Sequence, residues 1–290
     1  MLELDSLLNG CDTEYSNGQH CKCGVACTNC NYCQGVQADC YTCIQRVHSY
    51  KNDTVHYNCN KMVLYYTLKH SYRFGAELFF ELNRLRSVIA HWNEIKIMSI
   101  GCGPCSELFG ALLFWRNLGK NNADFHFRGF DTQSLWQPIM TQIQSCFNTE
   151  DVKTYGQDAF AYYGQSEEGI DVIVLNYMLS DMMKFHNAQY EQFLNNLISL
   201  IRQKKPRYIL INDVYLLISI GASNKMLRSL LNAGLCFKCS KLQYHEYNPI
   251  IGQFGLQIAR QKCVRLNADM VRKYNPFQET NSIQTIIEFQ

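Results

Sequence analysis

Four short stretches set glycines, acids or an amide where apolar runs end. The first is Ile95-Lys-Ile-Met-Ser-Ile-Gly101-Cys102-Gly103. Glycine lets a chain turn sharply and lets a ligand lie against bare backbone. The second, Gly129-Phe130-Asp131, ends in a carboxylate positioned to accept hydrogen bonds from ribose hydroxyls. A helix cap is the competing use of that aspartate. The third, Gly156-Gln157-Asp158-Ala159-Phe160, offers an acceptor for an exocyclic amine and a ring for a purine face, or simply a turn. The fourth, Asn176-Tyr177 followed by Leu179-Ser180-Asp181, suits the wall nearest a reacting centre, or else caps a helix.

The order of apolar runs says what must hold these stretches. Strands are expected at Ile95–Gly101, Phe125–Asp131, Val152–Tyr155, Asp171–Asn176 and Arg207–Asn212. Helices are expected between them at Ser106–Trp115, Leu135–Phe147 and Gln189–Arg202, with another at Ser223–Leu231. That alternation implies βαβ units and a mainly parallel, doubly wound sheet. Two closing strands, Phe237–Tyr244 and Phe254–Val264, suggest an antiparallel hairpin at one edge. The division expected is a cysteine-rich head over 1–59, a helical connector over 60–93, an α/β domain over 94–264 and a tail over 265–290. The connector reads as one long helix or two short ones broken near Gly75.

Composition bounds the function. The 290 residues are 47% hydrophobic and 18% charged, as in an ordinary globular protein. A net charge of +2 gives no sign of a strongly basic nucleic-acid binder, though a local basic face would not show in the total. Neither a signal peptide nor a run of membrane-spanning length is evident. The expected location is cytoplasmic, with the nucleus left open, and no membrane partner is expected.

Taken together, SIGCGPCSE, Asp131, GQDAF, LNYMLSD and INDV, each following its strand in order, resemble the class I S-adenosylmethionine-dependent methyltransferases. The resemblance covers residues 94–263 and implies a Rossmann-like seven-stranded sheet with a reversed last strand. It also implies cofactor contacts at Gly101, Cys102, Gly103, Asp131, Asp158 and Asn176, with Ala159 and Tyr177 beside them. The chain departs from the pattern at Cys105, where the family often has a third glycine. It also lacks the Asn/Asp-Pro-Pro-aromatic motif of base-amine methylation, and Ser106 breaks the dinucleotide pattern Gly-x-Gly-x-x-Gly. The methyl acceptor is left open among small molecule, protein and RNA. A sulfonium methyl is already activated, so alignment matters most and a general base is optional. Asp181, Tyr177 and His245 are base candidates by position alone. Tyr72-Arg73 either closes over the cofactor or packs on its helix.

Nine of the fifteen cysteines fall in the first 59 residues. Cys21, Cys23, Cys27, Cys30, Cys33, Cys40 and Cys43 carry the C-x₂-C spacings of tetrahedral zinc, and so many thiolates suit two ions. Iron–sulfur is the rival. Cys27, Cys30 and Cys33 resemble a ferredoxin run without its fourth spacing, and Cys23-x₃-Cys27-x₂-Cys30 matches a radical-enzyme cluster by spacing. The head is expected either to wall the acceptor pocket, with Tyr65, Tyr66, Tyr72 and Arg73 at the junction, or only to stabilise the N-terminus. The functional reading is a methyltransferase. A non-catalytic S-adenosylmethionine-binding module and an iron–sulfur enzyme are the alternatives.

Overall fold

The computed structural model describes residues 2–17, 40, 44, 59–147, 150–214, 216–244, 267–277 and 282–290. Seven strands form one sheet in the order β3-β2-β1-β4-β5-β7-β6. They are β1 Ile95–Ile100, β2 Phe125–Phe130, β3 Asp151–Tyr155, β4 Val172–Asn176, β5 Tyr208–Val214, β6 Phe237–Tyr244 and β7 Ser282–Phe289. The first five pair in parallel, while β7 runs antiparallel to both β5 and β6. The expected doubly wound α/β sheet with its reversed last strand is therefore present.

Period-two patterning explains why the central strands read as unbroken apolar runs. Ile95, Ile97, Val172, Val174, Tyr208 and Leu210 enter one core. The alternate residues Met98, Ile100, Ile173, Leu175, Ile209 and Ile211 enter the other. Strands covered on both faces need apolar residues at every position. The first core is closed by α1 Leu2–Asn17, α2 Asn60–Arg84, the short α3 Arg86–Ile89, α4 Ser106–Asn117 and α5 Gln137–Ser145. The second is closed by α6 Ala159–Gln165, α7 Leu179–Phe185, α8 Asn187–Lys204 and α9 Leu217–Asn232.

Two expectations are corrected, and a third falls on residues outside those described. Residues 265–290 are not a tail. They hold α10, Ala268–Tyr274, and the strand β7 that sits between β5 and β6. The range Phe254–Val264, expected as the closing strand, lies outside the described residues, and Ser282–Phe289 takes that place in the sheet. The first residues are not part of a separate head either. Leu4, Leu7, Leu8 and Cys11 recur at helical spacing, are wholly buried, and join the main core. The α1 helix is further tied down by Tyr72, whose Oη donates to Asp5 at 2.6 Å, and by Arg116, which donates to Glu3 at 2.9 Å.

The 60–93 segment is one 25-residue helix followed by a short turn of helix, and Gly75 does not break it. Gly75 is there because α2 crosses α4 at backbone contact. A Cβ on Gly110 would lie 1.9 Å from the Gly75 carbonyl oxygen.

Of the expected metal ligands, Cys21, Cys23, Cys27, Cys30, Cys33 and Cys43 lie outside the described residues; Cys40 is buried. Among the described residues no group of three His, Cys, Asp or Glu side chains is arranged to hold a metal ion. Nor is any helix among them long and apolar enough to cross a membrane.

Candidate functional site

In the order β3-β2-β1-β4-β5 the chain winds outward from β1 in both directions, so the carboxyl ends of β1 and β4 flank a crevice. Gly101 and Cys102 leave β1 and donate their N–H groups to the Phe130 carbonyl at 2.8 and 3.1 Å. The loop then turns through left-handed backbone at Gly101, Gly103 and Cys105, with φ of 66°, 48° and 47°. Cys105 pays the left-handed cost that a third glycine would have avoided. Its sulfur lies 3.1 Å from that of Cys102, over Gly129, where a side chain would meet both sulfurs.

Asp131 locks this loop. Its Oδ2 accepts from the Gly103 N–H and its Oδ1 from the Gln133 N–H, both at 2.8 Å. Burial raises its pKa, and the two backbone donors oppose that rise. Each oxygen keeps lone-pair capacity for a further donor.

Glu107, in the first turn of α4, is buried at the floor of the cleft. Burial pushes its pKa up to about 7, against hydrogen bonds from Ser99 Oγ at 2.5 Å and from the Asn176 amide. Asn176 itself is 8% exposed, and its Oδ1 has no hydrogen-bond partner. A buried carbonyl oxygen left in this state costs free energy until a donor reaches it.

Tyr177 follows with a φ of 55°. Its hydroxyl accepts from Arg73 Nη2 at 2.6 Å and donates to Glu77 at 2.8 Å, and its ring stacks on Phe74 with centroids 4.1 Å apart. Burial drives the phenol well above its ordinary range, so it is no base at neutral pH. Tyr72 and Arg73 are both buried in these contacts and do not close over the cleft. Asp181 lines the cleft, with its pKa raised to about 7 by burial first and by the Asp213 carboxylate second, while Lys184 opposes the shift. His245 lies outside the described residues.

The structure thus gathers Gly101, Cys102, Gly103, Asp131, Asn176 and Tyr177 around one cleft with a cavity volume of about 200 Å³. Asp158 and Ala159 do not line it. Asp158 caps α6 by accepting from the Phe160 and Ala161 N–H groups at 2.7 and 3.0 Å, and it faces a separate recess. Residue types alone did not single out Glu107, Trp136, Met178 or His186, which also line the cleft.

No family model matches the chain. No curated protein matches it either. Solved structures similar to it include S-adenosylmethionine-dependent methyltransferases. The plantazolicin methyltransferase BpumL in complex with SAH is 11% identical over 87% of this chain and 95% of that one, with a TM-score of 0.48. A SAM-dependent methyltransferase from Archaeoglobus fulgidus is 15% identical over 74% and 94%, with a TM-score of 0.42. Precorrin 8w decarboxylase from Methanobacterium thermoautotrophicum is 12% identical over 72% and 90%, with a TM-score of 0.39.

In chemical terms the cleft joins a backbone cradle without side chains to two polar groups that can accept hydrogen bonds, Asp131 and Asn176. A Cβ on Gly101 would lie 2.8 Å from Met178, and one on Gly103 would lie 3.4 Å from the Trp136 ring. The Met178 side chain could shift and 3.4 Å is ordinary contact, so it is the left-handed backbone at both positions that favours glycine.

Proposed function

We propose that the chain is a methyltransferase that binds S-adenosylmethionine in this cleft. The observation that carries the reading is one cleft lined by the Gly101–Gly103 cradle, Asp131 and Asn176, the last with a buried Oδ1 acceptor that has no donor. A ligand bearing both an ammonium group and ribose hydroxyls supplies donors for Asn176 and for Asp131 together. When bound, S-adenosylmethionine supplies a methyl group already activated on sulfur.

The chain's own residues would then bind and orient. Asp131 would hold the ribose while keeping the glycine loop in place. Asn176 would accept from the amino group, with Glu107 fixing the Asn176 amide from below. Trp136 and Met178 would flank the loop. Phe74 and Tyr66 line the cleft on the α2 side.

Equilibrium dialysis of the full chain against labelled S-adenosylmethionine tests this. Binding should be displaced by S-adenosylhomocysteine and not by NAD, because Ser106 fills the place where a dinucleotide site needs its last glycine. Displacement by NAD alone would overturn the assignment.

A further inference from the structure

The charged side chains lining the cleft, among the described residues, are Glu107, Asp131 and Asp181, with His186 the only basic group and neither Lys nor Arg present. Glu107 and Asp131 are engaged by Ser99, Asn176, Gly103 and Gln133. Asp131 stands over β2, whereas Asp181 follows the end of β4, with β1 between those strands. Asp181 shares the cleft with the rings of Tyr66 and Phe74 and the thioether of Met182. A phosphate or carboxylate entering there would meet like charge. An ammonium group would meet a carboxylate, which attracts it, and an aromatic or apolar body would meet the Tyr66 and Phe74 rings that line the same cleft.

Resting on the cofactor reading above, we propose that the methyl acceptor is a primary or secondary amine on an aromatic or apolar body. It is held by Asp181, Tyr66 and Phe74, and the Asp181 carboxylate takes the proton from its nitrogen. The amine enters as an ammonium ion and gives one proton to Asp181. Its freed lone pair forms the N–CH₃ bond as the S–CH₃ bond breaks, and both electrons of that bond remain on sulfur. The products are a methylammonium ion and S-adenosylhomocysteine, and Asp181 returns its proton to water. Burial, Asp213 on β5 and Lys184 on its own helix set the titration of Asp181, and the other titratable groups lining the cleft are Glu107, Asp131 and His186, the last at the end of the same helix. Burial with Asp213 nearby keeps the carboxylate basic enough for the transfer at neutral pH.

The test uses the full chain loaded with S-adenosylhomocysteine and titrated with phenethylamine, 2-phenylethanol and adenosine monophosphate. The amine should bind at least about tenfold more tightly than the alcohol at pH 8, and the mononucleotide most weakly. In Asp181→Asn the amine preference should shrink to under about threefold. S-adenosylhomocysteine binding by that variant reports that the cradle has folded. Independently of any variant, amine affinity in the unaltered protein should fall between pH 8 and pH 5.5 as Asp181 is protonated, and alcohol affinity should not. Equal binding of alcohol and amine, tighter binding of the mononucleotide, or no amine binding at millimolar concentration would overturn the proposal. Failure of S-adenosylhomocysteine itself to bind would remove the cofactor reading and this proposal with it. That result is distinct from cofactor binding without amine preference, which overturns this proposal alone.

Discussion

Replacing Gly110 by alanine is expected to destabilise the protein by about 3 kcal/mol or more, in the upper range for overpacking. The new methyl group would run into the backbone of Gly75: its carbonyl oxygen at 1.9 Å, its carbon at 2.7 Å and its Cα at 3.1 Å. Backbone cannot swing aside as a flexible side chain does, so α2 and α4 would have to separate. Those helices bury Leu78, Leu82, Leu108 and Leu112 in one core, and separation would open it. The loss should appear although alanine is ordinarily the better helix former by about 1 kcal/mol. Gly221→Ala is the control. It lies within α9, a Cβ there would touch nothing within 4 Å, and it should gain stability of about 0.5–1 kcal/mol. Urea unfolding of the three proteins measures both effects. Equal midpoints for Gly110→Ala and the parent would contradict the close crossing.

A second large effect is expected at Arg73. Arg73 and Glu77 form an ion pair at 3.2 Å with both side chains 5% exposed, and the Tyr177 hydroxyl bridges them. Arg73→Met would leave the Glu77 carboxylate buried without its cation, which costs about 3–5 kcal/mol. Removing both charges, in Arg73→Met with Glu77→Leu, should cost markedly less than that single change, because no uncompensated charge then remains. A double-mutant cycle followed by denaturant unfolding reads the difference directly. Additive losses would show that the pair does not act as a unit.

The parts of the fold legible in the sequence were those whose pattern is set locally. The strands β4 and β5 announce themselves as short apolar runs buried on both faces, and β1 and β2 by the recurrence of Ile95 and Ile97 and of Phe125 and Phe127 before a glycine or acid. The strand β7 hides because polar Ser282, Gln284 and Thr285 interrupt its apolar run although all three are buried. Gln284, for one, is 1% exposed and donates to the Glu77 carbonyl at 2.9 Å, a residue far away in sequence. The helix α1 hides for a related reason: its few apolar residues sit among Asp5, Asn9 and Gly10, and make sense only against α2. In the site, Gly101, Gly103 and Asp131 were legible because a strand end followed by glycine or acid is a local signal. Glu107 was not, since its role comes from burial against Ser99 and Asn176. Asp158 shows the reverse. Its residue type suits a ligand as well as a cap, and in this fold both backbone donors of α6 claim it.

Isothermal calorimetry with S-adenosylmethionine on the parent and on Asp131→Ala asks most directly whether the cleft is a methyl-donor site. Asp131 both locks the Gly103 N–H and would accept from the ribose, so its removal loses a charge-assisted contact and loosens the cradle. The parent should bind, and Asp131→Ala should bind more weakly by about 1.5–3 kcal/mol, roughly a ten- to hundredfold loss of affinity. A parent that does not bind S-adenosylmethionine, or an Asp131→Ala variant that binds it as tightly as the parent, would contradict the assignment.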